Sequence, residues 1–152
     1  MNKIKSYNNC FFEPCLSLFK SNTPFFFDIS EQVLFQNYLI KANINYYILF
    51  DLNKKVIASG GYAHETDGSI VLTWGMVHQA FHNKGYGTLL LEYRLNKIQS
   101  EFRGTSIILN TSQKTFKFYE RFGFQVIKIT NNYYGDGLDR YDMIKRSGPS
   151  RA

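Results

Sequence analysis

Residues 77–88, V-H-Q-A-F-H-N-K-G-Y-G-T, join an apolar strand end to a turn that holds Gly85 and Gly87 and then to the start of a helix. Glycine allows a tight backbone turn, so several N–H groups and the positive end of the helix dipole converge on one point. That geometry suits a pyrophosphate. Lys84 places a mobile cation at the lip, and Thr88 brings a hydroxyl donor in the first helical turn. Two glycines ahead of a helix also occur in plain loops, so the segment alone leaves a structural turn and an anion site both open.

Such a loop acts only if a strand and a helix hold it, and periodicity marks both. SIVLTWGMV, residues 69–77, reads as a strand, and after Gly85 a helix carries Leu91, Leu95 and Ile98 on one face. Upstream, KIKSY reads as a short strand, and Phe12, Leu16 and Phe19 mark a first helix. Asp28 and Glu31 are spaced as a capping box ahead of a second helix that carries Leu34, Phe35, Tyr38 and Leu39. NYYILFDL and VIASGGYAH are strands parted by an LNKK turn, and ETDG turns the chain into residues 69–77. Gly60, Gly61 and Gly75 fall inside strands, where glycine marks a bulge or a close approach, or is merely tolerated. Downstream come the strand SIILN, a short helix KTFKFYERF closed by Gly123, the strand FQVIKIT, a polar loop NNYYGDG and a last strand RYDMIK. This order predicts an α/β (α+β) fold, a mixed sheet of six to seven strands flanked by about four helices.

The 152 residues are 44% hydrophobic and 17% aromatic, ample for a packed core. With no repeat or linker, one domain is expected over residues 1–145, and residues 146–152, RSGPSRA, read as a disordered tail or an expression scar. No apolar run approaches the roughly 20 residues that cross a bilayer, and MNKIKSYNN lacks the apolar core of a signal peptide. A cytoplasmic protein without a membrane partner is the expectation. Cys10 and Cys15 stand without a CxxC or a histidine at ligand spacing, so both read as buried thiols and no metal site is expected. The formal charge of +6 becomes +4 without Arg146 and Arg151, since 16 basic residues then face 12 acidic ones. These basic residues are scattered and no basic-aromatic motif appears, which argues against nucleic acid.

Residues 77–88 resemble motif A of the GNAT acetyltransferase superfamily, Q/R-x-x-G-x-G/A after a strand ending in Val. Residues 118–124, F-Y-E-R-F-G-F, resemble its motif B, in which a tyrosine stands four residues before the Gly of a Gly-Phe pair. The two motifs, in the family's order and element context, cover about half the chain. The resemblance implies a mostly antiparallel central sheet and acetyl transfer from acetyl-coenzyme A directly to a primary amine, carried by a small molecule or a peptide. It implies that the backbone at Met76 and Val77 binds the pantetheine arm and polarises the thioester. His82, Asn83, Lys84, Gly85, Tyr86, Gly87 and Thr88 would hold the pyrophosphate, and Tyr119 would be the general acid that protonates the departing thiolate. Ser112 stands where many relatives carry an asparagine that contacts pantetheine or acceptor.

Two departures bear on function. His82 replaces the usual Gln or Arg, and its ring can still donate to phosphate, without a constant charge. The strand 69–77 holds no carboxylate where some relatives place a glutamate base, so amine deprotonation needs ordered water, another element, or to occur before binding. These departures motivate an alternative, a noncatalytic acyl-coenzyme A sensing module, against which Tyr119 argues. His64, Glu65, His78, Asp136 and Asp139 read as solvated turn or loop residues, Phe25, Phe26 and Phe27 as packing, and Trp74 as either core or acceptor wall. The acceptor would be chosen by the two N-terminal helices and the loop from Tyr133 to Gly137, and the aromatic surface and final strands would support a homodimer.

Overall fold

The computed structural model describes residues 3–146, so the expected tail, apart from Arg146, lies outside the described residues. Seven strands, β1 (Lys3–Ser6), β2 (Asn45–Phe50), β3 (Val56–His64), β4 (Ile70–Val77), β5 (Ile107–Thr111), β6 (Gln125–Gly135) and β7 (Leu138–Lys145), lie in the order β1-β2-β3-β4-β5-β7-β6. Every neighbouring pair is antiparallel except β4 with β5. Four helices complete the fold: α1 (Phe12–Ser21), α2 (Gln32–Leu39), α3 (Tyr86–Glu101) and α4 (Phe116–Glu120).

The period-2 alternation of β2 explains how both faces of the sheet are covered. Tyr46 and Ile48 join Leu18, Phe19, Phe35 and Leu39 of α1 and α2 in one buried cluster. Tyr47 and Leu49, pointing the other way, join Leu90, Leu91 and Ile98 of α3 in a second. Because both faces bury apolar side chains, the strand reads as an almost unbroken hydrophobic run. Asp28 and Glu31 form the expected capping box, closing a 3-10 turn (Ile29–Glu31) that leads into α2.

Several sequence expectations are corrected. The stretch NNYYGDG is largely strand: β6 continues to Gly135, which pairs with Leu138 and leaves a tip of only Asp136 and Gly137. Asn132, at φ 54°, absorbs an irregularity between Thr130 and Gly135. Its N–H donates to Asp139 Oδ1 at 2.8 Å, and its own Oδ1 accepts the Gly137 N–H at 2.7 Å. Polar composition suggested a loop, but these side chains cap a long hairpin. On α3 the buried position is Arg94 rather than Leu95, which is only partly covered. Cys10 is exposed, with its thiol donating to Asn8 Oδ1, whereas Cys15 is buried as expected.

The strand glycines each answer a crowding demand. A Cβ on Gly60 would stand 3.0 Å from Arg94 Cζ, and one on Gly75 2.8 Å from an Arg94 terminal nitrogen. Trp74 and Gly75 together face Gly60, a bulge that puts Trp74 at φ 42°.

Candidate active site

The parallel pairing of β4 and β5 holds only at Ile70 with Ile107 and Val71 with Ile108. Beyond those pairs the strands part, and a cavity of about 780 Å³ opens between them. One wall is the far half of β4, which reaches Met76 and Val77; the opposite wall is the end of β5 with Ser112 and α4. Unpaired β4 amides along a cleft can bind an extended ligand as a missing strand would.

At one end of the cleft lies the glycine turn. Gly85, at φ 86°, is the N-cap of α3, a left-handed conformation that favours glycine. Leu89 N–H closes the first helical turn on the Gly85 carbonyl at 3.1 Å, which leaves the amides of Tyr86, Gly87 and Thr88 ahead of the first helical bond. Gly87 fits beside Phe118 and Val77, where a Cβ would be 3.4 Å from the phenyl ring and 3.7 Å from the valine methyl. Asn83, Gly85, Gly87 and Thr88 all line the cavity. Lys84 and Tyr86 do not; both pack on Phe81, which does, with Lys84 Nζ 5.6 Å from the phenyl centroid and the Tyr86 ring at 6.0 Å.

His82 lines the cavity, but its Nε2 lies 2.7 Å from the Val77 carbonyl. A carbonyl only accepts, so Nε2 carries the hydrogen, and the ring can donate to a ligand only through a protonated Nδ1. The same carbonyl accepts from Asn22 Nδ2 at 2.9 Å, and this nitrogen also donates to the Leu18 carbonyl at 2.8 Å. Buried Asn22 thus ties the end of α1 to the end of β4, a role the sequence reading missed because the partner is 55 residues away.

Ser112 is buried at the cavity wall and organises α4: its Oγ accepts the Lys114 N–H at 3.2 Å and its carbonyl accepts the N–H groups of Thr115 and Phe116. Thr111 and Thr115 hydroxyls bond each other across the same turn. This brings Tyr119 to the cavity, its ring edge-on to Phe118 at 5.1 Å and to Phe124 at 6.0 Å.

Residues packed on the opposite face of the sheet also reach the cleft. Phe26, Phe27 and Glu31 approach from the segment between α1 and α2, and Tyr133, Tyr134 and Arg140 from the hairpin of β6 and β7. Glu31 is 8% exposed. One carboxylate oxygen accepts the Asp28 N–H at 2.9 Å, while burial, aided by the nearby Asp28 charge, pushes its pKa up to about 7. The capping-box spacing concealed this second feature of Glu31. Tyr134 donates to Asn110 Oδ1 at 2.7 Å, and Arg140 pairs with Asp142 at 2.9 Å and covers the Tyr133 ring. Trp74 packs on Phe35 at 5.0 Å and also lines the cavity, so it is both core and wall.

The remaining candidates fall elsewhere. His64 stacks on Phe102 at the far hairpin end. His78 Nδ1 accepts the Ala80 N–H at 3.1 Å; burial and Lys55 hold its pKa below the usual histidine value. Asp139 is used inside the β6–β7 hairpin. Among the described residues, no group of three or more His, Cys, Asp or Glu stands where it would hold a metal.

A family profile described as "Acetyltransferase (GNAT) domain" matches residues 20–147. Over 70 residues the chain is 30% identical to an N-alpha-acetyltransferase of Sulfolobus acidocaldarius; that match takes in 44% of this chain and 42%, less than half, of the relative. The fold is similar to the ribosomal-protein-S18-alanine N-acetyltransferase from Escherichia coli, with TM-score 0.79 and 21% identity over 99% of this chain and 97% of the other. It is similar also to an aminoglycoside 6'-N-acetyltransferase solved with coenzyme A, with TM-score 0.76 and 15% identity over 99% of each chain. With the profile spanning most of the sequence and the fold agreeing throughout, the chain belongs to the GNAT acetyltransferase family.

Proposed function

We infer that this chain is a single-domain N-acetyltransferase, over residues 1–145, that moves the acetyl group of acetyl-coenzyme A directly onto a primary amine of a small molecule or a peptide. The observation that carries this reading is the cleft between β4 and β5, with a glycine-capped helix start at one end and the Tyr119 ring at its wall. Amides of Asn83 to Thr88 hold the pyrophosphate, with Lys84 as a mobile counter-charge at the lip, and the backbone of Met76 and Val77 receives the pantetheine arm. His82 and Ser112 act mainly by shaping this wall, through the Val77 carbonyl and the first turn of α4.

The amine nitrogen attacks the thioester carbonyl carbon, the carbon–sulfur bond breaks, and Tyr119 gives its proton to the thiolate. Direct transfer fits the state of Cys15, a buried thiol whose pKa is pushed up to about 12 and which is therefore a poor nucleophile. Glu31, the carboxylate on the acceptor side, takes the proton that the amine must lose. Phe26, Phe27 and Tyr133 supply apolar walls for the acceptor.

The compartment we propose is the cytoplasm; no helix of the described residues is long and apolar enough to cross a membrane. A homodimer would use the outer strand β6, which exposes Ile127 and Ile129. Calorimetric titration with acetyl-coenzyme A and with desulfo-coenzyme A tests the core of the proposal. Micromolar binding of both is expected, and binding of neither would overturn it.

A further inference from the structure

Arg94 does not belong in an apolar helix stripe. It is 3% exposed, facing the sheet between Leu90 and Ile98. A guanidinium carries five N–H donors and is always charged. Here one terminal nitrogen donates to the Gly61 carbonyl at 3.2 Å, and Nε has no partner at all. Among the described residues the one salt bridge is Arg140 with Asp142, so no carboxylate reaches Arg94. A buried charge without a counter-charge is costly, far more than a neutral orphan.

The surrounding backbone makes room for that charge. Gly60 and Gly75 both lack the Cβ that would press on the guanidinium, and both sit at the β4 bulge. Arg94 lines the cavity, as do Leu72, Leu90 and Leu109, and its guanidinium lies at the β4 bulge against Gly75. The inference rests on the proposed coenzyme A site: an arm that passes from Thr88 along Val77 and Met76 arrives at Gly75, and whatever the sulfur carries then meets the three leucines and Arg94. The acceptor comes from the other side, past Glu31 and Tyr133.

We propose that this pocket accepts an acyl group ending in a carboxylate, a malonyl or succinyl group carried on coenzyme A, with Arg94 as its counter-ion. The step is the same acyl transfer. The amine nitrogen bonds to the thioester carbon, the carbon–sulfur bond breaks, the thiolate gains a proton, and the distal carboxylate passes unchanged into the amide product. No oxidant or further reactant is needed. An acetyl group offers the guanidinium no negative charge, whereas a dicarboxylic acyl group offers it a charge-assisted pair.

The test is calorimetry on the full chain without acceptor, comparing esters of matched length: propionyl- against malonyl-coenzyme A, and butyryl- against succinyl-coenzyme A. The carboxylated ester of at least one pair should bind about 10-fold or more tightly than its neutral counterpart. In Arg94→Met that preference should vanish or reverse, while desulfo-coenzyme A binds as before. Equal or weaker binding of both carboxylated esters by the unaltered chain overturns the proposal without reference to any variant's folding. Failure of every coenzyme A derivative to bind, desulfo-coenzyme A included, would instead overturn the cofactor site on which it rests.

Discussion

Tyr119 is held by α4 with its ring fixed between Phe118 and Phe124, so the phenol sits at the cavity wall on a rigid support. Substituting Tyr119→Phe keeps the ring and removes only the acidic proton. Turnover should fall about 10- to 1000-fold while acetyl-coenzyme A affinity stays nearly constant, as loss of a general acid requires. Steady-state kinetics beside calorimetry separates the two quantities, and unchanged turnover would remove Tyr119 from the mechanism. Glu31 should give the rate its pH dependence. Because burial places its pKa at about 7, its basic form accumulates as pH rises through neutrality, and the rate should climb and then level. In Glu31→Gln that limb should be lost. A rise that persists unchanged in the glutamine variant would assign the proton to another group. Motif B pointed to Tyr119 directly, whereas nothing in the spacing separated Glu31 as a cap from Glu31 as a cavity carboxylate. Its second role depends on the β6–β7 hairpin folding over it from 100 residues away.

Among the elements, the turn before α3 is the most legible, since its conformation depends on local backbone geometry that Gly85 and Gly87 announce. No atom stands within 4 Å of a Cβ built on Gly85, so a side chain there meets strain from φ 86° rather than a clash. Gly85→Asp adds a carboxylate facing the proposed phosphate site, and acetyl-coenzyme A should bind at least about 10-fold more weakly. Normal affinity in a folded Gly85→Asp protein would move the phosphates elsewhere. Two other elements were legible only in part. The order of seven strands and four helices followed from apolar periodicity, but β6 was cut short because Asn131 and Asn132 weaken the strand pattern, and only pairing with β7 carries it to Gly135. Arg94 was passed over for Leu95 because hydrophobicity ranks the helix faces, whereas the burial of Arg94 is decided by glycines on β3 and β4. In the sequence Gly60 and Gly75 read as a bulge, a close approach or mere tolerance, and nothing there names Arg94 as what approaches.

For the molecule as a whole, the cleft between β4 and β5 is where the sheet lacks its own ladder, so a ligand that fills it should report on global stability. A ligand that binds only the folded state stabilises by about 2.7 kcal/mol at 100 times its Kd, which for a domain of this size raises Tm by roughly 5–10 °C. Acetyl-coenzyme A should produce that shift in a thermal melt; its absence at saturating concentration would mean the cleft is not the binding site. The pH dependence of the unliganded protein is a separate test and has a definite sign. Glu31 binds its proton more tightly folded, with a pKa of about 7, than unfolded, near the ordinary 4.5. Between those values the folded state holds more protons than the unfolded state, so the Glu31 contribution must fall as pH rises through this window and stay constant above it. The direction is opposite to that of a salt-bridged carboxylate, and it follows from a carboxylate with one hydrogen bond in an apolar wall. Glu31→Gln removes the titration but keeps a side chain that can still accept the Asp28 N–H. Urea unfolding at pH 5 and pH 8 should therefore show a smaller loss of stability on raising the pH for Glu31→Gln than for the unaltered chain. An identical pH dependence in both proteins would mean that Glu31 titrates as an ordinary exposed carboxylate, and its part as the base would fall with that result.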